Sequence, residues 1–293
     1  MRTRLISAAV LVPVVVVLFW LGAPWLTLGI CLLGALAAYE TVQLLRSAGL
    51  GGSARVAVIA TPLLIFTFAW AADHGTFPRD YAVVPVALAL AVLAAALAGV
   101  ELHEAALGFT AWLGTMIATL YPALLGFAAM FVGLAPKQTT ESLFGLNIDG
   151  GRLALVVLVA AVWTLDSAAY VVGKYFPRGH FMNHISPKKT WSGAIAGTIA
   201  AVVVSSVLFA GTSPAPFPNA VVGAVAGLLI AIAAQLGDLT ESMLKRAAGA
   251  KDSGTLIPGH GGFLDRLDSF LFAAPAFFAV AVFINFSSWQ PYP

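Results

Sequence analysis

One cysteine, Cys31, stands in 293 residues, and it lies inside an apolar run. That excludes a disulfide framework and a thiolate metal cluster. Charge is almost as scarce: Asp, Glu, Lys and Arg make 10% of the chain, against 60% hydrophobic residues. The formal net charge of +2 carries little information about partners. Internal repeats, low-complexity tracts and any stretch polar enough for a soluble domain are missing too. So are the short alternating segments of a membrane β-barrel.

What the chain has instead is continuous Ala/Val/Leu-rich sequence, with a mean hydropathy of +0.94. Runs of about 20 apolar residues cross a hydrocarbon core of about 30 Å as helices, which satisfy their own backbone hydrogen bonds. The expected fold class is all-α: a polytopic membrane helix bundle of about nine transmembrane helices. The apolar segments cover approximately 5–22, 26–45, 56–72, 81–100, 106–134, 153–173, 192–211, 219–237 and 267–286. The first has the basic start of a signal peptide. Its apolar stretch runs long and no small-x-small cleavage site follows, so it is expected to stay as the first span.

The fifth segment is ambiguous. It can form one tilted span with an extension, or two short helices broken near YPALLG, where Pro122 removes a backbone donor. Basic residues decide between them. With one crossing and the N-terminus inside, Arg2, Arg4, Arg46, Arg55, Lys174, Arg178, Lys188, Lys189, Lys245, Arg246, Lys251 and Arg266 fall on the cytoplasmic side. Only Arg79, Lys137 and Arg152 fall outside, a split of 12 against 3. Two crossings would put eight basic residues outside, against the positive-inside bias. Nine spans with the C-terminus outside is the expectation.

Charge is also unevenly spread. The stretch Asp238 to Asp268, DLTESMLKRAAGAKDSGTLIPGHGGFLDRLD, holds nine charged residues in 31. If the preceding apolar helix continues, Asp238, Glu241, Ser242 and Lys245 share one face, with Arg246 beside them. Carboxylates near membrane depth cost a few kcal/mol unless paired or facing water. A helix end anchored by snorkelling is the plainer explanation of this face taken alone. SGTLIPGHGG cannot continue a helix and must form a loop whose backbone approaches a ligand closely. Asp265, Arg266 and Asp268 then open the last span. Acids on two helix ends, bridged by a Gly-rich loop with Lys245, Arg246, Lys251 and Arg266, suit a polyphosphate and a divalent cation together.

Ser242 to Asp268 resembles the hallmark of the phosphatidate cytidylyltransferases, also called CDP-diacylglycerol synthases. Ser242, Lys245, Arg246, Lys251, Asp252, Gly254, Pro258, His260, Gly261, Gly262, Asp265, Arg266 and Asp268 stand at its fixed positions. The preceding QLGDLTES also looks like the family. So does DSAAYVVGKYFPRGHFMNHISPKKTWSG upstream, where Asp166 lies about 20 Å into its helix. One departure shows: family members carry Glu or Gln where this chain has Ser192. The resemblance is strong over about 160–270 and generic before that. It implies transfer of a cytidylyl group from CTP to phosphatidate, giving CDP-diacylglycerol and pyrophosphate, with Mg²⁺. It implies that Asp238 and Asp265 hold the metal, and a homodimer. The expected arrangement is an N-terminal region of about five spans (1–150) and a C-terminal catalytic region of about four (151–293), with the N-terminus and site on the cytoplasmic side of a cell membrane.

Within that reading Lys245, Arg246, Lys251 and Arg266 meet the phosphates, and Lys188 and Lys189 cover them. Glu241, Asp252 and Asp268 orient those bases or stand behind them, and Ser242, Asp252 and Asp268 are expected among the substrate-binding residues. His260 either contacts metal or phosphate or packs the turn. Asp166 either serves the substrate or pairs with a neighbouring helix. Glu40 fits a snorkelling or interhelical role better than a catalytic one. The expected partners are CTP, phosphatidate and membrane lipids, with no nucleic acid. A phosphate monoester near its second ionisation is a good nucleophile, so no general base is required. Two rivals remain: a transporter using Asp166 and Glu40, and a CTP-dependent lipid kinase passing on the γ-phosphoryl group.

Overall fold

A computed structural model describes residues 2–74, 82–134, 140–213, 220–259 and 261–288. Ten helices carry it: α1 Arg2–Leu21, α2 Trp25–Ser47, α3 Ala54–His74, α4 Val83–Val100, α5 Ala105–Ala123, α6 Gly126–Leu134, α7 Gly150–Tyr175, α8 Trp191–Ala210, α9 Ala220–Ala247 and α10 Leu264–Ser288. Among the described residues eight stretches are long and apolar enough to cross a membrane, the first at Trp25–Ser47 and one of them Ala105–Gly133. They account for eight of the about nine expected spans, and the 20-residue α1 precedes them.

The broken segment is one crossing. Ser53 N donates to Thr115 Oγ1 (2.8 Å), and Thr61 Oγ1 donates to the Thr119 carbonyl (3.1 Å). Further along, Gly126 lies against Phe68 and Gly133 against Ala69 and Ala72. Residue numbers rise together on both sides, so α5 and α6 both run parallel to α3. Pro122 and the two-residue step after Ala123 interrupt the helix without turning the chain back.

The packing has the inverted pattern expected in lipid. On α8 the large residues Trp191, Ile195, Ile199, Val203 and Val207 are exposed. The opposite stripe, Gly193, Gly197, Ala201, Ser205 and Phe209, is buried. With no hydrophobic drive between helices in a bilayer, small residues let backbones approach and gain dispersion contacts. A methyl group added at Gly197 would lie 2.8 Å from the Leu165 carbonyl of α7, and one at Gly227 only 2.6 Å from the Ala201 carbonyl of α8. Helices α7 to α10 therefore pack closely, around Leu158, Ala161, Ile230 and Phe277. A second cluster joins Ala37, Ile65 and Ala129 of the first half to Leu264 and Leu271 of α10, so the two halves share a core.

Three short strands were not expected. Strands β1 (Thr140–Leu143), β2 (Leu146–Asp149) and β3 (Thr212–Ser213) form an antiparallel sheet in the order β2-β1-β3. Its hairpin turns at Phe144 and Gly145, both at positive φ (48° and 86°), as a two-residue primed turn requires. The sheet caps the end of the bundle opposite the charged loops. Asp149 then caps α7, accepting from Arg152 N at 2.7 Å.

Candidate active site

At the charged end α9 runs on as one helix to Ala247, placing Asp238, Glu241, Ser242 and Lys245 along one face, as read from the sequence. Gly237 explains how α10 comes so near: a methyl group there would sit 2.3 Å from the Asp268 carbonyl oxygen. This backbone contact sets the acids of the two helices side by side. Lys245 bridges them, pairing with Glu241 on its own helix and with Asp265 Oδ1 of α10 at 2.6 Å. Glu241 is 0% exposed and the Lys245 side chain 13%. A buried carboxylate needs such a partner, so Lys245 works as a brace between the helices.

Asp265 is held equally firmly by the Gly-rich loop. Its Oδ2 accepts from Ser253 N (2.8 Å), Ser253 Oγ (2.9 Å) and Gly262 N (2.9 Å). Gly261 has φ +81°, and a methyl group on it would press within 2.6 Å of that oxygen. The loop closes on itself through Ile257 N to the Gly261 carbonyl, 2.9 Å. Below it lies Glu40 of α2, whose carboxylate accepts from Ser253 Oγ (3.0 Å), Phe263 N (3.1 Å) and Leu264 N (2.8 Å). The expectation for Glu40 was a snorkelling or an interhelical role; at 2% exposure and with these partners it is interhelical.

The upstream polar segment, between Tyr175 and Trp191, folds over α9. Lys189 pairs with Asp238 Oδ2 at 2.6 Å. Arg246 donates to the carbonyls of Ile185 (3.4 Å) and Ala250 (3.2 Å), tying this segment to the Gly-rich loop. Thr190 caps α8 through Gly193 N. Ser192, at the departing position, accepts from Arg178 N (3.0 Å) and donates to the Phe176 carbonyl (2.8 Å). Its hydroxyl closes the loop.

Between α7, α8 and α9 this segment roofs a cavity of about 470 Å³. Asp166, Lys174, Lys188, Lys189, Gln235 and Asp238 give it polar walls, and Leu165, Ala169 and Ala194 give it an apolar side. Asp166 and Asp268 lie within electrostatic reach of Asp238, and Arg266 and Lys189 within reach of Asp166. The sequence-nominated Asp166, Asp238, Asp268, Lys189 and Arg266 thus converge. Ser242 Oγ reaches Asp238 Oδ1 only at 3.4 Å. Lys188 is exposed at the cavity rim. Lys251 and Asp252 are exposed on the Gly-rich loop, and Asp252 lies on the Asp265 side of it, since a methyl group on Gly261 would be 3.4 Å from its Cβ and 2.6 Å from Asp265 Oδ2. His260 lies outside the described residues.

Sequence reasoning underused Ser253, Lys174, Thr190 and Gln235. Ser253 sits at a variable position of the motif, and its partners are 12 and 213 residues away. Gln235 donates to Thr198 Oγ1 at 3.0 Å and so joins α9 to α8 at the cavity floor.

Among the described residues no three His, Cys, Asp or Glu side chains gather as a ready metal cage. Mg²⁺ does not need one, because it is held by one or two carboxylates and completed by water and substrate phosphates. The carboxylate oxygens of Asp238 and Asp265 are of that donor type, but in this structure Asp265 Oδ1 already accepts from Lys245 and its Oδ2 from three loop donors. Asp238 Oδ1, with its single long contact, is the more open of their oxygens.

A model of the cytidylyltransferase family matches residues 2–284. The phosphatidate cytidylyltransferase of Synechocystis sp. is 32% identical over 289 residues, 96% of each chain. That of Rickettsia typhi is 33% identical over 177 residues, 59% of this chain and 75% of the relative. That of Brucella suis biovar 1 reaches 48% over 124 residues, 42% of this chain and 45% of the relative.

Proposed function

The chain belongs to the cytidylyltransferase family, and from that premise we propose how its charged end makes CDP-diacylglycerol and pyrophosphate from CTP and phosphatidate. The observation that carries the assignment is the cavity under the upstream segment, where the Lys189–Asp238 pair lies beside Asp166 at the edge of an apolar wall. Lysines at the rim and an apolar side suit an anionic headgroup on a lipid.

The triphosphate enters from the aqueous side, where Lys188, Lys189, Arg246, Lys251 and Arg266 offset its charge. Phosphatidate slides in from the bilayer past the exposed faces of Tyr170 and Trp191, with Lys174 over the ring of Tyr170 at 5.6 Å. Its phosphate oxygen attacks the α-phosphorus, and the bond from that phosphorus to the oxygen bridging the β-phosphate breaks. Pyrophosphate leaves with the electron pair. The attacking monoester is already ionised near neutral pH, so the protein has no proton to remove. Its work is positioning and charge neutralisation. A bound Mg²⁺ would neutralise phosphate charge, with Asp238 and Asp265 as the carboxylates able to hold it. Glu241 and Lys245 keep Asp265 aimed, and Asp268 and Ser242 border Asp238.

In this reading the charged end faces the cytoplasm, with the N-terminus on the same side, and the enzyme works as a homodimer in the cell membrane. The test is stoichiometric. Purified protein given CTP, Mg²⁺ and phosphatidate should yield CDP-diacylglycerol and pyrophosphate in equal amounts, and EDTA should stop both. Diacylglycerol should fail as acceptor, since its neutral hydroxyl would need a base. Phosphorylation of diacylglycerol would make this a lipid kinase instead.

A further inference from the structure

Glu40 lies in the N-terminal half, in the second span, and is 2% exposed. No residue of the charged segment is near it in sequence, yet it accepts three hydrogen bonds from that segment. Two come from backbone N–H groups at the start of α10, which have no partner within their own helix. A carboxylate at a helix N-terminus also meets the positive end of the helix dipole. Glu40 therefore caps α10 from another helix.

The third bond is the informative one. Ser253 Oγ lies 3.0 Å from Glu40 Oε2 and 2.9 Å from Asp265 Oδ2. A hydroxyl has one hydrogen to donate, so the two carboxylates share it. Asp265 N in turn donates to the same oxygen at 3.2 Å. Glu40, Ser253 and Asp265 form one connected unit at the root of the Gly-rich loop.

Two glycines of the motif follow from this unit. A methyl group at Gly254 would lie 2.6 Å from Glu40 Oε1, and one at Gly262 only 2.3 Å from Glu40 Oε2 and 2.2 Å from Ser253 Oγ. Gly254 and Gly262 leave the space that the Glu40 carboxylate fills.

We propose that Glu40 is a positioning residue of the active site: its carboxylate anchors both ends of the Gly-rich loop and, through Ser253, sets the orientation of Asp265. The first half of the protein thereby contributes directly to the geometry of the catalytic half. The proposal rests on the reading of this loop as part of the transferase site, so its test includes a measurement that needs no substrate.

Ile257 is 4% exposed at the loop's centre and reports its closure. In a Cys31→Ser background, Ile257→Cys should react slowly with N-ethylmaleimide in detergent micelles. Adding Glu40→Gln, which keeps size but replaces an acceptor oxygen by a donor, should raise that rate at least tenfold. In the chain with native Ile257, Glu40→Gln should lower kcat tenfold or more while KM for CTP moves less than threefold. Glu40→Asp, which is too short to reach α10, should not rescue it. Glu40→Gln keeps the buried volume, so the variant should purify like wild type even if Glu40→Ala does not. Unchanged alkylation overturns the proposal, whatever happens to kcat. Faster alkylation with unchanged kcat overturns it too, because the loop would then not matter to turnover. A wild-type protein inactive with CTP would refute the functional reading, and alkylation would still decide whether Glu40 holds the loop.

Discussion

Replacing Lys245 by Met keeps the length of the side chain and removes its charge. In the structure that leaves Glu241, 0% exposed, without its cation, and strips Asp265 Oδ1 of its 2.6 Å partner. Removing one member of a buried ion pair costs about 3–5 kcal/mol, chiefly because the other charge stays buried. Against a total stability of about 5–15 kcal/mol that is a large fraction. Thermal or denaturant unfolding in detergent micelles should therefore show Lys245→Met far below wild type. The double variant Glu241→Gln/Lys245→Met removes both charges of the pair. It should be more stable than Lys245→Met alone, with a coupling of at least about 1 kcal/mol. A Lys245 that served only to meet phosphate would behave differently: activity would collapse and stability would hold. A Lys245→Met protein within about 0.5 kcal/mol of wild type, or a double variant with additive effects, would refute the brace.

Asp238→Asn and Asp265→Asn should each reduce turnover by orders of magnitude. Retention of more than about a tenth of the activity, a barrier change under about 1.4 kcal/mol, would remove that residue from the metal. Asp265→Asn should also lower the unfolding midpoint, since its Oδ2 accepts three loop hydrogen bonds, whereas Asp238→Asn should not. In a Cys31→Ser background, cysteines at the exposed Thr255 and Asn183 should react with impermeant reagents only from the cytoplasmic side, and one at the exposed Phe144 only from outside; the reverse pattern would invert the topology. Gly227→Val should sharply reduce the folded yield, because its added carbons would press on the Ala201 carbonyl, and a normal yield would contradict the close α8–α9 packing.

The spans were legible because lipid imposes length and apolarity on any helix that crosses it. The single crossing at 106–134 was legible from the basic residues, and the parallel run of α5 and α6 along α3 gives its structural form. The face of α9 followed from helical spacing alone. The strands were not legible. Four residues on each side of a Phe144–Gly145 turn carry no Asn-Gly or Asp-Gly signal, and tertiary contact with β3 supports them. At the site, motif spacing located the acids and bases but not their pairings. Lys245 sits among basic residues in sequence, yet packing gives it to Glu241 and Asp265. Glu40 could be seen as an acid in an apolar span, but nothing local could reveal Ser253 as its partner 213 residues on.

In the proposed reaction the lipid phosphate attacks the α-phosphorus of CTP at the charged end of this bundle. The direct measurement follows label from CTP to lipid in the purified protein with Mg²⁺ and phosphatidate. Label at the α-position should appear in the lipid product, and label at the γ-position should leave only as pyrophosphate. Label reaching lipid from the γ-position, or from neither position, would contradict the account.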